Sequence, residues 1–244
     1  AADAHGPPNG EIPADARLDA HGYLDDADTI VELLAAVAAR PDLVVSQLNA
    51  PDTAAHVHGP DSAAALDAYQ ETDARLTLVR DQLDWDDTVW IVVSDHDQET
   101  VVDREPLDLR PEFTRRGVDL FALPEGSATV VCGDGAVEAA RWLPEVDGVE
   151  GTAPFQLADP ELEACLAWCV PGRTFGFAEL ATEPGTHGSP RTRTQVAVVT
   201  GGHPLVPSLA REATSRSLRA TDWAPTVAAL LSLELPRATG RSLL

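Results

Sequence analysis

Apolar residues in this chain alternate between short continuous runs and longer stretches at helical spacing. The sharpest run is Val89-Trp90-Ile91-Val92-Val93, which stops at Ser94-Asp95-His96-Asp97. A β-branched run of this kind predicts a strand buried on both faces. Open α/β sheets bind ligands in the loops that leave the carboxyl ends of such strands. The polar tetrapeptide is therefore the first place to look for chemistry. Residues 43–48 (LVVSQL) and 195–200 (QVAVVT) repeat the buried-strand pattern.

Helical spacing fills the intervals. Residues 28–40 (DTIVELLAAVAAR) predict a helix with Asp28 as N-cap, Arg40 in the last turn and Pro41 as the stop. Residues 61–83 keep an apolar stripe through Ala65, Leu66, Tyr69, Leu76, Val79 and Leu83. Residues 221–233 predict a closing helix with Pro225 in its first turn, where a missing N–H is tolerated. Strand, helix and strand in succession are the signature of a parallel α/β architecture. Between residues 104 and 185 the character changes, with strands expected at 120–123 and 128–132 and short helices at 135–143 and 160–169. This stretch reads as a compact α+β insertion, and the polar first 25 residues as a loop or cap remnant.

Composition narrows the partners. The 244 residues carry a net charge of −23, and all 17 basic residues are Arg. Such a surface repels nucleic acid and anionic membranes, which excludes both as general partners. No run is long and apolar enough to span a bilayer, and the start has no basic-then-apolar signal pattern. A cytoplasmic location is expected unless a targeting segment lies upstream. Cys132, Cys165 and Cys169 form an odd set without a CxxC pair, which fits buried thiols in a reducing compartment. An anionic substrate would need local positive charge, and metal ions can supply it.

Candidate ligands cluster in three segments: Asp52 with His56, Asp95 with His96, and His187 within GTHGSP. Zinc takes imidazole nitrogen and carboxylate oxygen, and a catalytic site leaves one position open. Asp52, His56 and His187 compose a two-His, one-Asp set of that kind, and Asp95 with His96 supplies half of a second. Two metals about 4 Å apart suit phosphoryl or sulfuryl transfer. His58 fits a solvent-facing or outer position better than ligation. His5 and His21 fit the surface, and His203 a loop. Arg191 and Arg193 fit charge compensation on an acidic surface, and the tryptophans packing anchors.

The segments NAPDTAAHVHGPDS, IVVSDHDQ, GTHGSPRTRTQVAVVTGG and TDWAPTVAALLSLELPRATGRSLL occur in the order found in the alkaline phosphatase superfamily. They most resemble its type I phosphodiesterase/nucleotide pyrophosphatase branch. The resemblance runs from about residue 42 to residue 244. It implies an alkaline-phosphatase-like three-layer α/β sandwich with a mostly parallel sheet and a small α+β cap. The chain would be the C-terminal portion of one catalytic domain, with residues 104–185 as the cap that selects substrate. By the same resemblance, Asp52, His56 and His187 hold one zinc, and Asp95 and His96 belong to a second. Manganese is the other candidate ion.

The implied activity is hydrolysis of phosphodiester or phosphoanhydride bonds in a small phosphorylated substrate such as a nucleotide. Alternatives within the superfamily are a phosphomonoesterase, a phosphonoacetate hydrolase and a mutase. Outside enzymology, the alternative is a metal-binding remnant or half of a split enzyme. The family attacks phosphorus with a metal-bound Thr or Ser that follows an N-terminal strand, and nothing in residues 1–41 resembles that segment. The nucleophile is therefore expected in a further N-terminal segment or a partner chain. The family usually has Gly after the Asp-His pair, where this chain has Asp97.

Overall fold

The structure is a computed structural model that describes residues 17–19, 21–179 and 182–244. In chain order, α1 (Asp26–Ala38), α2 (Ala50–His58) and α3 (Ala63–Arg80) precede β1 (Trp90–Val93) and β2 (Glu99–Thr100). Next come α4 (Arg110–Arg116), β3 (Phe121–Glu125), β4 (Ala128–Cys132), α5 (Ala136–Trp142), β5 (Val149–Gln156) and β6 (Glu163–Cys169). The chain ends with β7 (Gly185–Thr186), β8 (Ala197–Thr200), α6 (Val206–Ser215) and α7 (Trp223–Leu230). These elements divide into two compact units.

One unit takes the described residues of the first 49 together with Thr72–Asp95 and Gln195–Leu244. Ile30 and Val37 from α1 and Val79 from α3 form its core, with Leu33, Leu34, Val44, Leu48, Leu83 and Trp90 packed around them. β1 pairs antiparallel with β8, Trp90 opposite Thr200 and Val93 opposite Ala197. Helix α1 starts two residues earlier than its sequence pattern predicts. Asp25 is the N-cap, and its side chain accepts from Ala27 N–H.

The tail of this unit is a polar clasp. Asp222 is buried and accepts from Arg216 at 2.6 Å, from Arg219 N at 3.0 Å and from Arg241 N at 2.8 Å. Thr226 Oγ1 donates to Asp222 O at 2.6 Å and accepts from Leu243 N at 3.1 Å. The TDWAPT and GRSLL elements of the closing motif are thus fastened to each other, and their role is structural.

The other unit comprises Ala50–Glu71 and His96–Thr194. Its four-stranded sheet has the order β3-β4-β6-β5 and is antiparallel throughout. Leu109, Phe113, Ala139 and Leu143 pack with Val131, Cys165, Ala167 and Cys169 to make its core. The segment expected as a cap, residues 104–185, lies in the same unit as Asp52, His56 and His187.

Four expectations need correction. The mostly parallel sheet is replaced, among the described residues, by antiparallel ladders and one isolated parallel bridge between Leu107 and Phe175. Among the described residues β1 has a single neighbour, and it is half-buried, with Val93 exposed, so a β-branched run here marks a strand without marking burial on both faces. Residues 43–48 form no strand. Val44 and Leu48 pack into the core, but Val45 is 83% exposed, and apolar propensity needs a ladder partner to become a strand.

The fourth concerns residues 160–169, expected as a helix, where β6 runs through Glu163–Cys169 between β4 and β5. A six-residue apolar run, Ala164–Cys169, at the centre of a sheet reads equally well in either period. Cys165 and Cys169 still share a face, because residues four apart do so in a strand as well. The three thiols are buried and unbridged. Burial raises Cys165 to about 11 and Cys169 to about 12, which makes them poor nucleophiles and poor metal ligands.

Candidate metal centre

Asp52 and His56 sit on α2. Their i,i+4 spacing puts both side chains on one helix face. The same geometry turns His58 away, and it is exposed. Gly185 in β7 brings the third ligand close: a Cβ there would stand 2.1 Å from Ala55 O, so only glycine lets β7 approach α2. His187 follows β7 directly.

One ligand atom from each of Asp52, His56 and His187 lies within 4.8 Å of the other two. His56 Nε2 is 3.6 Å from Asp52 Oδ1. His56 Nδ1 lies 3.0 Å from Gly185 O, which holds a proton on that nitrogen and turns the Nε2 lone pair toward the carboxylate side. The rings of His56 and His187 meet edge-on at 5.0 Å. Burial lowers the His187 pKa from its ordinary value, and neighbouring His96 and His56 lower it further. Its imidazole is thereby kept neutral, the form that binds metal. A carboxylate and two imidazoles with an open approach fit a divalent cation of the zinc type.

His96 joins this cluster. Its ring stacks on His187 at 3.8 Å, and its Nε2 lies 4.0 Å from Asp52 Oδ1. His96 Nδ1 lies 3.1 Å from Asp97 O, the same backbone anchoring seen at His56. Asp95 is exposed, its carbonyl accepts from Gln195 Nε2 at 2.5 Å, and it is not in the three-ligand group. The departure at Asp97 is harmless. Its φ is not positive, its N–H donates to Thr192 O at 2.8 Å, and its carboxylate accepts from Gln98 N at 2.8 Å.

Sequence reasoning missed the residues that hold these candidate side chains. Gln98 Nε2 donates to the Asp52 carboxylate and, at 3.2 Å, to Asp52 O, which fixes both the side chain and its helix. Gln98 is two residues past His96, but only the fold reveals that β2 runs back toward α2. Glu99 accepts from Ser189 Oγ at 2.7 Å and from Arg191 Nε at 2.8 Å. Burial opposes ionisation of Glu99, but hydrogen bonding led by Arg191 outweighs it and holds the carboxyl below its ordinary pKa. Arg191 also binds Glu150 and, at 3.0 Å, Cys169 O. It is committed to internal partners rather than to the acidic surface it was expected to offset.

Curated protein sequences give no match to the chain. The family model described as Type I phosphodiesterase / nucleotide pyrophosphatase matches residues 4–144, more than half of its length. The chain belongs to that family. The match contains Asp52, His56, Asp95 and His96, while His187 and the closing motif lie beyond it.

Solved structures place this type I phosphodiesterase family member by fold. Murine ectonucleotide pyrophosphatase / phosphodiesterase 5 is similar with a TM-score of 0.61 and 13% identity, over 89% of this chain and 62% of that one. An inactive form of the same murine protein, in complex with AMP, gives 0.61 and 14% over the same shares. Phosphonoacetate hydrolase from Sinorhizobium meliloti 1021, in complex with phosphonoacetate, gives 0.49 and 16% over 61% of this chain and 43% of that one. The chain therefore spans less than two thirds of each of these structures. The α/β fold is similar to that of the murine protein. No helix among the described residues is long and apolar enough to cross a membrane.

Proposed function

We propose that this family member is a metal-dependent hydrolase of phosphodiester or phosphoanhydride bonds. The observation that carries the reading is the convergence of Asp52, His56 and His187 within 4.8 Å, in a chain that belongs to the phosphodiesterase family. Asp52, His56 and His187 would hold one divalent cation, zinc by donor set, and His96 with Asp95 would serve a second. When bound, such cations supply Lewis-acid charge that neutralises phosphoryl oxygens, which a chain of net charge −23 cannot offer from its surface.

The protein's own groups prepare the site. Gly185 O and Asp97 O hold protons on the Nδ1 atoms of His56 and His96. The Gln98 amide donates to Asp52 and keeps that carboxylate aimed. Tyr69, whose hydroxyl pKa is raised by burial and by Asp97 and Asp52, stays protonated beside them and can donate to an anionic substrate. The substrate is a small phosphorylated molecule. The family's nucleotide chemistry and the AMP held by the murine relative favour a nucleotide.

The test is hydrolysis of an aryl phosphodiester by the purified chain with and without zinc. Zinc-dependent turnover that disappears in Asp52→Ala and His187→Ala supports the proposal. Turnover surviving both substitutions overturns the metal assignment. Zinc binding without turnover favours the non-catalytic metal-binding reading.

A further inference from the structure

His187 is the one ligand of the three that a loop, not a helix, carries. Its backbone carbonyl accepts two hydrogen bonds from one residue: Ser127 N at 2.7 Å and Ser127 Oγ at 2.9 Å. The same hydroxyl accepts from Ser189 N at 3.1 Å. Ser127 therefore spans the loop on both sides of Gly188, and its side chain is fully buried.

Ser127 sits in the two-residue turn Gly126-Ser127 that joins β3 to β4. Gly126 has φ +63°, and a Cβ there would stand 2.5 Å from His187 O, so turn and ligand loop touch directly. The turn is fixed independently of the hydroxyl: Cys169 N donates to Ser127 O at 2.9 Å, and Phe175 N to Gly126 O at 2.8 Å. Losing the hydroxyl should therefore leave the sheet intact and loosen the loop.

We propose that Ser127 is a positioning residue for His187, transmitting the rigidity of the four-stranded sheet to a cation ligand. The inference rests on reading Asp52, His56 and His187 as a cation site. Outer partners of metal ligands typically contribute about 10–100-fold to metal affinity. One of the two bonds to His187 O comes from the backbone and survives substitution, so Ser127→Ala should fall near the lower end, about tenfold.

Thr129 provides the control. It lies on β4, is fully buried, and its hydroxyl has no hydrogen-bond partner. Thr129→Val removes a buried hydroxyl from the strand that follows the turn without touching the loop.

The experiment is titration of the purified chain with zinc and with cobalt(II), following affinity and the visible absorption of bound cobalt. Circular dichroism monitors folding. Ser127→Ala should weaken zinc about tenfold and move the cobalt spectrum toward that of His187→Ala, while Thr129→Val matches wild type. A merely destabilised protein would keep the wild-type spectrum in its bound fraction. If Ser127→Ala does not fold, Ser127→Cys, similar in shape with a weaker donor, takes its place. Wild-type affinity and spectrum in the Ser127 variant overturn the positioning role while the cation site stands. Failure of wild type to bind either metal overturns the site itself, and the inference with it.

Discussion

His96 lies flat against His187, ring centroids 3.8 Å apart and planes 17° from parallel. The contact joins the loop after β1 to the loop after β7, so one histidine can act both as packing wall and as ligand. His96→Phe separates the two roles, because it keeps a stacking ring and removes the nitrogens. If His96 serves a second cation, calorimetric zinc stoichiometry falls from two to one while affinity at the remaining site stays within about threefold, since the outer packing is retained. A stoichiometry unchanged by His96→Phe assigns His96 to packing alone.

Gln98 holds the Asp52 carboxylate and its backbone carbonyl from one amide nitrogen. Gln98→Leu should weaken zinc binding about tenfold with an unchanged circular dichroism spectrum. Wild-type affinity in this variant would show that α2 alone aims Asp52.

Much of this architecture was legible in the sequence, and the failures have identifiable causes. The i,i+4 spacing of Asp52 and His56 and the His-Gly-Ser element pointed to the three side chains that the fold brings within 4.8 Å of one another, whereas Asp95 is not among them. Strand β4 and helices α3 and α5 were also readable from local pattern. β6 was not: EACLAWC is apolar in either period, and only its pairing with β4 and β5 settles the matter. Ser127, Gln98 and Glu99 were invisible for a related reason. They act through hydrogen bonds across 46 to 92 residues of chain, which no local pattern records.

Asp222 should govern acid stability in its unit. Arg241 N–H leads the interactions, with Arg216 and Arg219 N–H, that hold its carboxyl at about 2 against an ordinary 3.8. A depressed carboxyl stabilises the fold fully above the ordinary value and loses that contribution as pH falls through 4 toward 2. Asp222→Asn should cost about 1–3 kcal/mol at pH 7, since a charged acceptor of several donors is weakened. Urea unfolding should show this gap closing between pH 4 and pH 2. A gap that does not change with pH would contradict the clasp.

Cys165 and Cys169, raised by burial to about 11 and about 12, should resist alkylation. Iodoacetamide at pH 8 should leave all three cysteines unmodified in the native protein and label all three in denaturant, as read by intact mass. Rapid native labelling would show that the four-stranded sheet opens readily.

The claim that two imidazoles and a carboxylate gather at Asp52, His56 and His187 is tested most directly by zinc X-ray absorption on the loaded protein. The account predicts nitrogen and oxygen neighbours at about 2.0–2.2 Å with imidazole scattering, lost in part in His187→Ala. A sulfur shell at about 2.3 Å, or a shell without imidazole, would contradict it.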